Sequence, residues 1–215
     1  MDISYSVTNI GCRWRSPARA EIVSRFRGVV AAPYLPQSCF SLAWPRHLGR
    51  YLKGMHAVQL DRALHGFHIR RGKPADLDAL WDLENSVFAT DRMSRRSLRR
   101  LLASPSAAAI VAQSDGAIAG VAVVLFRVNS RIARLYSLAV VPKHTGRGIA
   151  SALLAAAEKT ARSRKCQWLR LEVHEKNHGA IKVYRRAGYY EFGRHHRYYQ
   201  DRGHALRFEK QLKRS

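Results

Sequence analysis

The chain has 215 residues, 47% of them hydrophobic, which suits one domain with a buried core and an extension. Its 38 Lys and Arg outnumber 15 Asp and Glu, and the net charge of +23 favours anionic partners such as nucleic acid, acidic protein surfaces or a polyphosphate cofactor, unless it only reflects an Arg-rich genome. No apolar run can span a bilayer, because the longest, 107–126, is broken by Gln113, Ser114 and Asp115; Cys12, Cys39 and Cys166 form no Cys-x-x-Cys pair and no disulfide framework, which fits a reducing, cytoplasmic setting.

Residues 1–64 stand apart. They carry Arg13, Arg15, Arg19, Arg25, Arg27, Arg46, Arg50, Lys53 and Arg62 against Asp2, Glu21 and Asp61, and they hold Pro17, Pro33, Pro36 and Pro45. They show no sustained period and no secretory pattern. Such a leader fits an organellar transit peptide, and equally an upstream start with Met55 as the true one. We expect a poorly ordered extension over 1–64 and a folded domain over 65–215.

From His65 the pattern is regular. Residues 67–71 read as a strand. Pro74 stands where a helix can open, and Leu77, Leu80, Trp81, Leu83, Glu84, Val87 and Phe88 follow at helical spacing. Residues 94–103 give a second, very basic helix. Strands over 108–113 and 118–126 flank Ser114-Asp115-Gly116, a hairpin signal. Another strand covers 131–141. A basic, glycine-rich loop follows, Val140-Val-Pro-Lys-His-Thr-Gly-Arg-Gly-Ile-Ala-Ser151, and a helix over 148–162 opens from it. Residues 167–174 form a strand, 177–187 a helix with Asn177 as N-cap and Gly188 as stop, and 189–199 and 205–212 closing strands. A strand–helix–strand unit between two apolar strands implies a crossover in a partly parallel sheet.

The loop is the first chemical candidate. Glycines admit a close ligand, and a helix N-terminus offers unpaired N–H groups, so Gly146, Arg147, Gly148, Ile149, Ala150 and Ser151 make an anion cradle. An ordinary strand-to-helix turn is the competing reading. The loop is neither a Walker A sequence nor Gly-x-Gly-x-x-Gly. In Leu169-Arg-Leu-Glu-Val-His174, strand alternation puts Leu169, Leu171 and Val173 on one face and Arg170, Glu172 and His174 on the other. Glu172 is a candidate proton acceptor there, or simply a solvated strand carboxylate. Tyr184 reads as a core aromatic by default. His174-Glu-Lys-Asn-His178 matches the letters of a zinc motif, but it straddles a strand end and a helix start, whereas zinc chemistry needs both histidines on one helix face. We assign no metal site. The basic residues are scattered, so no nucleic-acid module is assigned.

In this order, the pieces resemble the GNAT superfamily of N-acetyltransferases over residues 67–212. The superfamily's acetyl-CoA motif, Gln/Arg-x-x-Gly-x-Gly/Ala after Val-x-Pro, is matched by Thr145-Gly-Arg-Gly148-Ile-Ala150 after Val140-Val-Pro142, with Thr145 as the departure. A second block is matched by Asn177-x-x-Ala180-Ile-x-x-Tyr184-x-x-x-Gly188-Tyr189. The C-terminal half is most similar to the bacterial ribosomal-protein alanine N-acetyltransferases, on Glu172, Asn177, Ile181, Tyr184, Gly188 and Tyr198-Tyr199. The resemblance implies an α/β fold with a mixed sheet of six to seven strands and about four helices. It implies acetyl-CoA as cosubstrate, lined by Leu138, Ala139, Val140 and Gly146–Ser151, with Asn177 on the pantetheine arm. It implies Glu172 as proton acceptor and Tyr184 as proton donor for direct attack by an amine. The acceptor expected is a protein N-terminal α-amine, as on a ribosomal protein; a lysine, a polyamine or another small amine, and a non-catalytic acyl-CoA- or RNA-binding module, remain alternatives. Specificity is expected on the first two helices and residues 189–203. A monomer or weak dimer away from membranes is expected.

Overall fold

The computed structural model describes residues 66–88 and 91–213. The expected extension over 1–64 lies outside the described residues.

Strand β1 (His68–Arg71) is followed by a 3-10 turn, Pro74–Asp76, and helix α1 (Leu77–Val87). Pro74 needs no N–H in this first turn. Arg70 fixes the turn, gripping Asp76 through two hydrogen bonds of 2.8 Å. Helix α2 (Arg95–Ala103) starts at Ser94, whose Oγ accepts from the Ser97 N–H at 3.1 Å. Strands β2 (Ala107–Ser114) and β3 (Ala117–Leu125) form the expected hairpin. Asp115 and Gly116 turn it with φ of 50° and 81°, as a two-residue hairpin loop of the twisted kind requires. Then come β4 (Ile132–Val140), α3 (Ile149–Ser163), β5 (Trp168–His174), α4 (His178–Arg186), β6 (Tyr190–His195) and β7 (Ala205–Gln211).

The seven strands form one sheet in the order β1-β2-β3-β4-β5-β7-β6. Only β4 and β5 run parallel among these neighbours. Alternating side chains build two cores. Ile110, Ala122, Leu135, Leu171 and Phe208 pack with Leu153, Leu154 and Tyr184 of α3 and α4. Val111, Val121 and Val123 pack with Leu80, Leu83 and Leu98 of α1 and α2.

One expected strand is shorter than its sequence pattern. The strand expected over 189–199 ends at His195. Arg197 has a φ of 49°, outside the extended region, so the chain turns there before β7 begins.

Candidate active site

The sheet opens between β4 and β5. They pair only at Ile132↔Trp168, Ala133↔Leu169 and Arg134↔Arg170. Beyond that point β4 stays with β3 as far as Gly120↔Val140, and β5 stays with β7 as far as His174↔Ala205. A bulge at Tyr136 marks the start of the divergence, between the pairs Val124↔Leu135 and Val123↔Ser137. The bulge bends the strand and shifts its alternation by one residue. Ala133 and Leu135 face the α3 side before it, and Leu138 and Val140 face that side after it.

The glycine-rich loop leaves the C-terminal end of β4. Gly146 and Gly148 adopt φ of 82° and 79°. A Cβ at either would meet nothing within 4 Å, so the space over the loop is open. Gly148 caps α3 with no side-chain hydrogen bond. The first intrahelical bond is Ala152 N–H to Gly148 O at 3.0 Å, so the N–H groups of Ile149, Ala150 and Ser151 precede the helix ladder. The side chains of Ile149 and Ala150 are buried, as are those of Leu138, Ala139 and Val140. What these positions can offer a ligand is main chain. Arg147 folds back on the loop: it contacts His144 Nδ1 at 2.9 Å, and its Nη2 would lie 2.7 Å from a Cβ on Gly66. Burial, reinforced by the charges of Arg147 and Lys143, holds the His144 imidazole below its usual pKa.

Glu172 lies on the expected face of β5 and is buried. Its Oε2 is 2.8 Å from Arg134 Nη2, and its Oε1 is 3.8 Å from Arg207 Nε. Arg134 also donates to Tyr198 Oη at 2.9 Å. Neither arginine was legible as a partner in the sequence. Arg207 is the cross-strand neighbour of Glu172 only because β7 inserts between β5 and β6. The only advance signal was strand alternation, which puts Arg134 on a definite face of β4.

Tyr184 is fully buried on α4, its ring 5.9 Å from that of Tyr189 and 6.4 Å from that of Phe208. Its Oη has no hydrogen-bond partner among the described residues, and neither has the buried Ser137 Oγ. Burial drives the Tyr184 hydroxyl strongly upward in pKa, so it stays protonated across the physiological range. Buried hydroxyls normally find partners, so both atoms stand out. Ser137 was not anticipated from the sequence.

Asn177 caps α4, its Oδ1 accepting from Ala180 N–H at 3.0 Å. His174 and His178 fall in different elements, β5 and α4. The His174 imidazole contacts Asp201 at 3.0 Å, accepts from Lys176 N–H at 3.0 Å and stacks on Tyr199.

The sequence pattern of the "Acetyltransferase (GNAT) family" matches residues 76–189, from the turn before α1 to the residue after α4's glycine stop. The chain belongs to the GNAT acetyltransferase family. It is accordingly an enzyme of the N-acetyltransferase type, as the motif order implied. A Bacillus subtilis (strain 168) protein provisionally described as a ribosomal protein bS18-alanine N-acetyltransferase is 26% identical over 135 residues, covering 63% of this chain and 88% of that one. The ribosomal-protein-S18-alanine N-acetyltransferase of Escherichia coli shares the fold, with a TM-score of 0.63, 23% identity and coverage of 69% and 96%. A nourseothricin acetyltransferase superposes with a TM-score of 0.58 at 25% identity, covering 69% of this chain and 99% of its own. No helix of the described residues is long and apolar enough to cross a membrane.

Proposed function

We propose that this GNAT acetyltransferase moves the acetyl group of acetyl-CoA to the α-amine at a protein N-terminus. The observation that carries the reading is the glycine-rich loop, Gly146 and Gly148 in left-handed backbone, open above and leading into an α3 N-terminus without a side-chain cap. The fit to acetyl-CoA rests on the loop. Gly146 and Gly148 leave open space, and the uncapped N-terminus of α3 presents the N–H groups of Ile149, Ala150 and Ser151 to an anion. Arg147 adds positive charge beside it. Leu138–Val140 lie on β4 beyond its last pairing with β5, and Asn177 caps α4, the helix that follows β5. Acetyl-CoA supplies an activated thioester carbonyl to the attacking amine.

A peptide α-amine has an unperturbed pKa near 8, so freeing its lone pair at neutral pH costs only about 1–2 kcal/mol. A positioned carboxylate suffices for this. Glu172 takes that role, its carboxylate oriented by Arg134 and Arg207. Burial keeps the proton on Oη, which excludes Tyr184 as the base and leaves it the role of proton donor. It gives that proton to the sulfur that departs from the carbonyl carbon. Direct attack needs no cysteine, and Cys166 lies buried at the far end of α3. The relatives named for ribosomal-protein alanine acetylation support an N-terminal acceptor.

The deciding experiment measures CoA-thiol release over peptides with free N-termini, N-terminally blocked lysine peptides, polyamines and an aminoglycoside. The highest kcat/KM is expected on a peptide with a free N-terminal alanine, with loss of turnover when that amine is blocked. Equal or better turnover of a blocked lysine peptide or a polyamine would overturn the acceptor assignment.

A further inference from the structure

The far end of the molecule carries a second feature. A groove of about 1000 Å³ lies where β4 and β5 begin, walled by the 127–131 loop, the last turn of α3, the 164–167 loop and the chain after β7. Arg127, Arg131, Lys159, Arg162, Lys165 and Lys213 line it. Arg164 is a seventh cation, set over the Phe126 ring at 4.2 Å. Among the described residues no carboxylate lines the groove. The nearest acid along α3, Glu158, pairs with Lys210 at 2.8 Å and with Arg162 at 3.6 Å. In sequence these cations are dispersed over three segments; the fold gathers them.

The groove is separate from the acetyl-transfer site. The glycine loop opens α3 and the groove closes it. The helix has 15 residues, which at 1.5 Å each places the two about 22 Å apart.

We propose that this groove docks the phosphate backbone of an RNA helix. Arg162 is paired with Glu158 and Arg164 rests on Phe126, but Arg131, Lys159, Lys165 and Lys213 pair with no carboxylate among the described residues, and cations gathered in this way favour a polyanion. The remaining polar lining, Asn129, Ser130, Ser163 and Gln167, consists of the side-chain types that hydrogen-bond phosphate and sugar oxygens. Amide and hydroxyl groups also serve the 2′-hydroxyls that line an RNA helix's shallow groove. A folded protein partner would call for an apolar centre to the contact. Among the described residues the only apolar ones lining the groove, Cys166 and Leu212, are buried in its floor. Among the described residues no aromatic ring lines it for base stacking, so recognition is by shape and charge rather than by sequence. The inference does not depend on the identity of the amine acceptor.

The test uses the full chain and a labelled RNA duplex of arbitrary sequence, with binding read by fluorescence anisotropy across a salt series. The variant Arg131→Glu/Lys159→Glu/Lys165→Glu reverses three exposed groove charges. A control, Arg96→Glu/Arg99→Glu/Arg100→Glu, makes the same change in net charge on exposed positions of α2. The groove variant should weaken RNA binding at least 10-fold at unchanged melting temperature and flatten the slope of log K against log salt by about 2–3, as for loss of about three phosphate contacts. The control should change affinity less than 3-fold. Equal losses in both variants would reduce the effect to net charge and overturn the proposal. So would unaltered binding by the groove variant, which would assign RNA affinity to residues 1–64, or a preference for a DNA duplex or polyglutamate over the RNA duplex.

Discussion

Glu172 and Arg134 meet, Oε2 to Nη2 at 2.8 Å, at the point where the two parallel strands part. Arg134↔Arg170 is the last paired step of β4 and β5, and Glu172 is two residues further along β5, on the same face. The ion pair therefore spans the mouth of the opening, and it holds the carboxylate that the proposed reaction uses. With Arg207 on the other side, Glu172 has little rotational freedom.

That arrangement makes Arg134 a positioning residue. Arg134→Met should lower kcat about 10-fold, about 1.4 kcal/mol of barrier, with acetyl-CoA affinity retained. Its effect should be largely absent in a Glu172→Gln background, because the arginine acts through the carboxylate. A double-mutant cycle in kcat/KM checks this; additive losses would remove Arg134 from the mechanism.

Tyr184→Phe separates catalysis from folding. Its Oη is buried and unpartnered among the described residues, so deleting it breaks no hydrogen bond and should leave the melting temperature unchanged or raised. Turnover should nonetheless fall about 10²- to 10⁴-fold, the range of a lost general acid, and Glu172→Gln should fall by a similar factor. Steady-state kinetics beside calorimetric binding of acetyl-CoA provide the readout. Full activity in both variants would rule out the assigned proton transfers.

Gly148→Val tests the loop. With φ at 79° a side chain is strained, at a cost of about 1–2 kcal/mol, yet there is room for it within the folded protein. The enzyme should fold with reduced stability and bind acetyl-CoA at least 10-fold more weakly. An unchanged dissociation constant would move the pyrophosphate site elsewhere.

Glu84 should make stability pH-dependent. It is 1% exposed on α1, its Oε1 accepts from Met93 N–H at 2.7 Å, and burial pushes its carboxyl up to about 7. The folded state holds this proton longer than the unfolded chain, whose glutamate releases it near 4.5. Stability from this group is therefore present below about 4.5 and lost as pH rises toward 7, by an amount on the order of 3 kcal/mol. Glu84→Gln should flatten that window and be the more stable protein at pH 8. Denaturant unfolding at pH 5 and pH 8 measures both; parallel pH profiles for the two proteins would contradict it.

Local chemistry in the sequence was enough for most elements. Ser94 and Asn177 cap helices, Pro74 opens one, Asp115-Gly116 turns a hairpin, and the apolar alternation of Leu169, Leu171 and Val173 assigns a face to Glu172; all depend on neighbours within a few residues. The GNAT signature in the 140–151 loop is also local, because two glycines in left-handed backbone and one helix N-terminus make it. The strand expected to reach Tyr199 fails for the same local reason seen from the other side: β propensity persists through His195-His196-Arg197-Tyr198, but a single backbone turn at Arg197 ends it.

By itself, then, the amino-acid sequence determined the order of elements, the acetyltransferase family and the identity of the loop that opens α3. Only the tertiary structure decided that β7 lies between β5 and β6, that Arg134 and Arg207 therefore close on Glu172, that Tyr184 Oη and Ser137 Oγ are left without partners among the described residues, and that dispersed cations gather into one groove. The reason is physical. Caps, turns and alternation are set by short-range sterics and hydrogen bonds, whereas strand order and the meeting of distant residues, Arg134 with Glu172 for example, follow from how the whole sheet buries its two faces.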